Sequence, residues 1–109
     1  MPSYSKNEVV LVRYPFSDLS SSKVRPAVVS APHVSQDVMI VPLTSRTAPL
    51  LPGEFVLADR KGAGLNVETA VKRGLFTIHE RLVVKSVGVL SAKDAGDLGR
   101  SLRDWLDLR

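Results

Sequence analysis

The spacing of apolar residues changes once along this chain, at Ser91. Before it, short runs of Val, Ile and Leu are separated by Pro, Gly and Ser. After it, Ala95, Leu98, Leu102, Trp105 and Leu106 recur at three- and four-residue intervals. Period two followed by period 3.6 specifies strands first and one helix last. No helix-length segment separates the strand runs, which argues against a parallel α/β sheet. The pattern predicts a mainly β domain over residues 1–109, a small curled or partly open barrel with a C-terminal helix on one face or end.

Five or six strands are expected. Glu8 to Tyr14 alternates apolar residues up to Pro15, which cannot donate to a ladder. Phe16 to Val24, with three successive serines, reads as a long loop. Pro26 to Ser30 is expected as the second strand, with the proline tolerated at its first position. Asp37 to Leu43 is the third, and its Pro42 implies an edge, a bulge or an early end. Thr44 to Pro52 reads as irregular, and Gly53 to Ala58 as a short fourth strand. Asp59 to Asn66 reads as a turn in which the Gly62-Ala63-Gly64 run supplies positive φ. Thr69 to Ile78 contains the fifth strand, and Arg81 to Leu90 is the sixth, with a bend near Gly88. Ser91 with Asp94 has capping-box spacing, and the acid suits the positive end of a helix. Gly96 and Gly99 either permit close packing or weaken the first turns.

Composition bounds the function. The net charge is +4. From Ser91 onward Lys93, Arg100, Arg103 and Arg109 are cancelled by Asp94, Asp97, Asp104 and Asp107, so the excess lies in the body before the helix. A basic body favours polyanions, nucleic acid first among them. The chain has no cysteine, which removes disulfides and thiolate chemistry and fits a reducing, cytoplasmic setting. No basic-then-apolar leader pattern opens it, and no apolar run approaches membrane-spanning length. There is no P-loop, dinucleotide fingerprint or HExxH motif. His33 and His79 have no partner at metal-ligand spacing, so no metal or cofactor is expected. His33 is expected in a surface turn and His79 at a strand end, both structural or solvated.

Arg25 is the most informative polar residue. It follows the polar loop, precedes Pro26 and has Lys23 two positions earlier. A guanidinium there can grip phosphate with paired donors, or it can be a surface partner of Asp18 or Glu54. Thr44-Ser45-Arg46 places two hydroxyls and a charge after an apolar strand, for phosphate contact or for turn bonding. Lys72-Arg73 is a second basic pair. Tyr14, Phe16 and Phe76 are rings that can stack on bases or fill a core.

Residues 8–30, EVVLVRYPFSDLSSSKVRPAVVS, resemble the opening of the MazF/PemK family of toxin endoribonucleases: an apolar strand, PFSD, a polar loop, then K-x-R-P and a β-branched strand. The run from Val41 to Ser45 resembles the end of that family's third strand, and Val71 to Leu90 its last strands. The resemblance implies an SH3-like barrel with a terminal helix, shared with gyrase-poisoning toxins. It implies a homodimer that cuts single-stranded RNA without a metal and is neutralised by a cognate antitoxin protein. It assigns catalysis to Arg25 and Thr44. Lys23, Ser45, Arg46, Lys72 and Arg73 are then the candidate RNA-binding residues. Two departures stand out. Arg73 occupies a position where some relatives carry a reacting acid, and DLSSS replaces a loop that in some holds a histidine. A non-catalytic regulator, or an inhibitor of a protein target on the same fold, is therefore the alternative.

Overall fold

A computed structural model describes residues 3–14 and 23–108. These residues form seven strands and one α-helix: β1 (Glu8–Tyr14), β2 (Lys23–Val29), β3 (Asp37–Thr44), β4 (Phe55–Val56), β5 (Ala70–Val71), β6 (Phe76–His79), β7 (Val83–Val89) and α1 (Ala92–Trp105). A 3-10 turn at Glu80–Leu82 precedes β7. Every pairing is antiparallel, in the order β4-β5-β3-β2-β1-β7, with β6 also on β3. Among the described residues β4 and β7 do not meet, so the ladder stays open while keeping the expected mainly β architecture and terminal helix.

The centre of the sheet is buried on both faces, which explains why its runs are so continuously apolar. On one face Val9, Val28, Val41, Leu43 and Val71 pack with Leu90 and Leu98, and with Ala95, Leu102 and Trp105 of the helix. On the other, Val10, Val12, Ala27, Val29, Val38, Ile40 and Ile78 pack with Tyr4, Leu82 and Val83.

Several boundaries differ from expectation. β2 begins at Lys23, so Pro26 lies inside it. The reason is directional. Asn7 N–H donates to the Val29 carbonyl at 2.8 Å, and Ser30 N–H donates to the Met39 carbonyl at 2.9 Å. Backbone groups alternate sides along a strand, so the nitrogen of Pro26 faces β3. The β2–β3 pairing stops one residue earlier, at Ala27–Pro42. Pro42 likewise lies inside a paired strand, with no early end. Its carbonyl accepts from Lys72 N–H at 2.9 Å, on the side where β3 exchanges β6 for β5. The expected fifth strand is two short ones, β5 and β6, with Gly74 between them. β4 shrinks to Phe55–Val56, and the first two residues of the expected sixth strand, Arg81 and Leu82, belong with Glu80 to the 3-10 turn, whose Arg81 N–H donates to His79 Nδ1 at 3.0 Å. Gly64 has the expected positive φ of 80°. The bend near Gly88 is a register shift opposite Val9 and Val10, and a Cβ at Gly88 would lie 2.4 Å from the Ala63 backbone.

Ser91 caps α1, its Oγ accepting from Asp94 N–H at 3.1 Å. Asp94 does more than face the helix dipole. It is fully buried, and its carboxylate accepts from Ala58 N–H at 2.9 Å and Asp59 N–H at 3.0 Å. Ser101 Oγ donates to the Gly53 carbonyl at 2.7 Å, and Trp105 Nε1 to that of Pro52 at 3.0 Å. The helix is thus stitched to both loops that flank β4. Its stripe ends at Trp105, because Leu106 is 47% exposed at the C-cap. Outside the stripe, Lys93 donates to Asp97 at 2.8 Å, which holds that half-buried carboxyl below its ordinary range and raises Lys93. Nothing lies within 4 Å of a Cβ built on Gly96 or Gly99, so neither serves close packing.

Two outcomes check this packing by urea or thermal unfolding. Asp94→Ala strands two amides and is expected to cost about 2–4 kcal/mol, and Leu98→Ala about 2–5 kcal/mol, whereas Leu106→Ala stays within about 0.5 kcal/mol. Gly96→Ala is expected to stabilise by up to about 1 kcal/mol; a loss would show a packing role that the open space denies.

Candidate nucleic-acid interface

The candidate residues gather where β2 and β3 stop pairing. Val28 and Val41 are opposite one another and their backbone groups face each other. The next hydrogen-bonding pair of an antiparallel ladder would be Pro26 with Leu43. Pro26 has no N–H to give, and the ladder ends. Arg25 and Thr44 each lie two residues beyond the last pair, Ala27–Pro42, at the same end of the two strands. Period two puts both on the face of Ala27 and Pro42. Arg25 is opposite Val12 of β1, and Lys23, opposite Tyr14, shares the face of Arg25.

The side chains of Lys23, Arg25, Arg46, Lys72 and Arg73 are exposed. Among the described residues none forms an ion pair. Of the two expected partners for Arg25, Asp18 lies outside the described residues. The other, Glu54, accepts instead from Leu51 N–H and Arg73 N–H, both at 2.8 Å. Thr44 Oγ1 accepts from Arg46 N–H at 3.1 Å, and among the described residues its hydroxyl proton has no acceptor. Ser45 and Arg46 form the exposed turn after β3, and Thr47 Oγ1 donates to Glu68 at 3.2 Å. Lys72 lies opposite Pro42, to whose carbonyl its N–H donates at 2.9 Å, two residues along from Ala70, which pairs with Thr44.

The structure therefore brings Lys23, Arg25, Thr44 and Lys72 to one face at one end of the sheet, with Ser45 and Arg46 on the adjoining turn. Arg73 follows them where β5 has ended. Phe76 pairs with Ile40, which sets it on the same face. Its ring is 45% exposed and lies where a side chain on Gly74 would begin, so it is neither core nor fully free. The side chain of Tyr14 and all of Phe16 lie outside the described residues.

The histidines are elsewhere. His33 is not in a solvated turn: its side chain is 4% exposed, with Nε2 3.1 Å from Glu80 Oε2 and its ring centroid 5.5 Å from that of Tyr4. His79 pairs with Asp37, at the opposite end of β3 from Thr44. Seven residues of extended chain separate those ends by about 23 Å. Among the described residues the candidate face has no imidazole.

The sequence matches the family of PemK-like, MazF-like toxins of type II toxin–antitoxin systems over residues 5–106. The chain belongs to that family. Solved structures share its fold at low identity. The Mycobacterium tuberculosis toxin MazF-mt6 is 20% identical, with a TM-score of 0.75 over 94% of this chain and 98% of that one. MazF from Deinococcus radiodurans is 20% identical, with a TM-score of 0.78 over 99% and 100%. A mycobacterial endoribonuclease in complex with its cognate antitoxin is 17% identical, with a TM-score of 0.71 over 100% and 98%. No curated protein sequence matches the chain. Among the described residues no helix is long and apolar enough to cross a membrane.

The directional role of Pro26 is testable. Pro26→Ala supplies the missing donor, so the amide gained at position 26 is expected to be protected from hydrogen exchange as the ladder extends. A fast-exchanging amide there would show that the strands part for another reason.

Proposed function

We propose that this MazF/PemK-family toxin is a metal-independent, sequence-specific endoribonuclease of single-stranded RNA. The observation that carries the reading is the exposed Arg25, without an ion-pair partner among the described residues, at the same opened strand end as the Thr44 hydroxyl. The family match and a fold shared with proteins described as endoribonucleases support it. In this reading the toxin acts as a homodimer in the cytoplasm and a cognate antitoxin restrains it; the mycobacterial endoribonuclease solved in complex with its cognate antitoxin supports a partner of that kind.

In this reaction a ribose 2′-hydroxyl attacks the adjacent phosphorus. The bond to the leaving 5′-oxygen breaks, giving a 2′,3′-cyclic phosphate and a 5′-hydroxyl. Arg25 donates to the phosphoryl oxygens as charge grows on them. Thr44 donates its free proton to the same phosphate, while the Arg46 amide fixes its oxygen. Lys23, Arg46, Lys72 and Arg73 neutralise neighbouring phosphates, and Ser45 offers one more donor. None of these groups is a good base at neutral pH. Their work is charge stabilisation and positioning. The need for a 2′-hydroxyl makes the activity specific for RNA.

The test is a mixed pool of single-stranded RNA incubated with purified protein in chelator. Wild type is expected to cut at a short motif, Arg25→Ala about 10²–10³-fold more slowly, and Thr44→Val at least about ten-fold more slowly. Lys72→Ala is expected to weaken binding across sequences and to flatten the log–log salt slope by about 0.7. RNA left intact by wild type, with growth arrest that survives Arg25→Ala, would replace this reading with inhibition of a protein target.

A further inference from the structure

Resting on the nuclease reading above, we infer that Glu54 is a positioning residue, which fixes the basic Lys72–Arg73 segment beside the Thr44 strand end by supplying the acceptor that a missing strand would have supplied.

The argument starts from the backbone. β5 is two residues long and lies between β3 and β4. Lys72 continues it by one bond, its N–H donating to the Pro42 carbonyl on the β3 side. The N–H of Arg73 must then point toward β4. β4 begins only at Phe55, paired with Val71, so no strand residue of β4 lies opposite Arg73. Left so, the amide would lack a ladder partner in a segment that, among the described residues, has one other backbone bond to the sheet, from Lys72 to Pro42. Glu54 Oε2 takes that proton at 2.8 Å. Its other oxygen, Oε1, accepts from Leu51 N–H at 2.8 Å, while Glu54 N–H donates back to the Leu51 carbonyl at 2.9 Å. The carboxylate is therefore held on a closed turn and cannot swing.

The charge arithmetic is as informative as the geometry. A glutamate beside Lys72 and Arg73 would ordinarily neutralise one of them. Here both carboxylate oxygens are taken by backbone amides, and among the described residues neither cation is ion-paired. Glu54 fixes the segment without consuming its positive charge. From Gly74 the chain crosses to β6, back on β3, so a loose Arg73 would free the middle of the 72–75 crossover, between the Lys72 bond to Pro42 and the packed Leu75, next to the candidate face.

The experiment compares wild type, Glu54→Ala and Glu54→Gln on a single-stranded RNA containing the mapped motif, with thermal unfolding and 15N amide spectra of each. Glu54→Ala is expected to raise KM about ten-fold with kcat within about two-fold, and to move the Leu51 and Arg73 amide resonances together. Glu54→Gln keeps one acceptor oxygen, is expected to fall between, and serves if the alanine variant does not fold. An unmoved Arg73 amide, an unchanged KM, or a fall in kcat alone would overturn the role. If wild type binds RNA without cutting it, the nuclease reading fails by itself, and the Kd of the same variants decides the role of Glu54. If wild type does not bind RNA, both fall.

Discussion

Pro26 and Pro42 have no N–H, and the face that carries the candidate site depends on where those two donors are missing. On β2 the gap faces β3, where the pairing ends at Ala27–Pro42. On β3 the gap faces the far side, where β6 hands over to β5. A central strand with a full set of donors would keep one neighbour along its length. β3 instead has β2 and β6 at one end, and an opened side next to β5 at the other. Arg25 and Thr44 stand at that opened end, where β2 and β3 no longer pair with each other, while Arg25 keeps Val12 of β1 and Thr44 keeps Ala70 of β5.

Opening a ladder is costly unless the exposed backbone finds other partners. The replacements are side chains. Thr44 Oγ1 takes the Arg46 amide, and Glu54 takes those of Leu51 and Arg73. At the helix, Asp94 does the same for Ala58 and Asp59. The two carboxylates are used alike in that each binds two amides beyond the ends of the short strands: Asp94 both from the segment after β4, Glu54 one from before β4 and one from after β5. The rest of the stability comes from burial on both faces of β1, β2 and β3, which is what leaves polar residues at the rim free for other work.

What was legible in the sequence follows from the range of the forces involved. β1 is bounded by its own alternation and Pro15, and α1 by Ser91 and its stripe, so both were readable locally. β2 was read as starting at Pro26 because a proline inside a strand is excluded only when that strand is paired on the side its nitrogen faces. That side is a property of register and cannot be read from composition. The division of residues 69–78 into β5 and β6 has the same origin, since both serve one neighbour, β3. Arg25 and Thr44 were legible as a motif. Their shared face required the Val28–Val41 register. The settings of Asp94, His33 and Glu54 depend on contacts 36, 47 and 19 residues distant in the chain, to Ala58, Glu80 and Arg73, and no local pattern encodes them.

Arg73 shows what this means for chemistry. Read against relatives that carry an acid there, it is a substitution that removes a reacting group. In the fold, the backbone of Arg73 is held by a carboxylate from another loop while its guanidinium stays exposed. A position so arranged is better suited to holding a phosphate than to moving a proton. Cations that are fixed through their backbones, with side chains that no neighbour neutralises, lose little freedom on binding a polyanion and need not first break an ion pair. On the proposed nuclease reading, the face suits charge stabilisation along a phosphodiester chain, and proton transfer is the part of the reaction for which its described residues are least equipped.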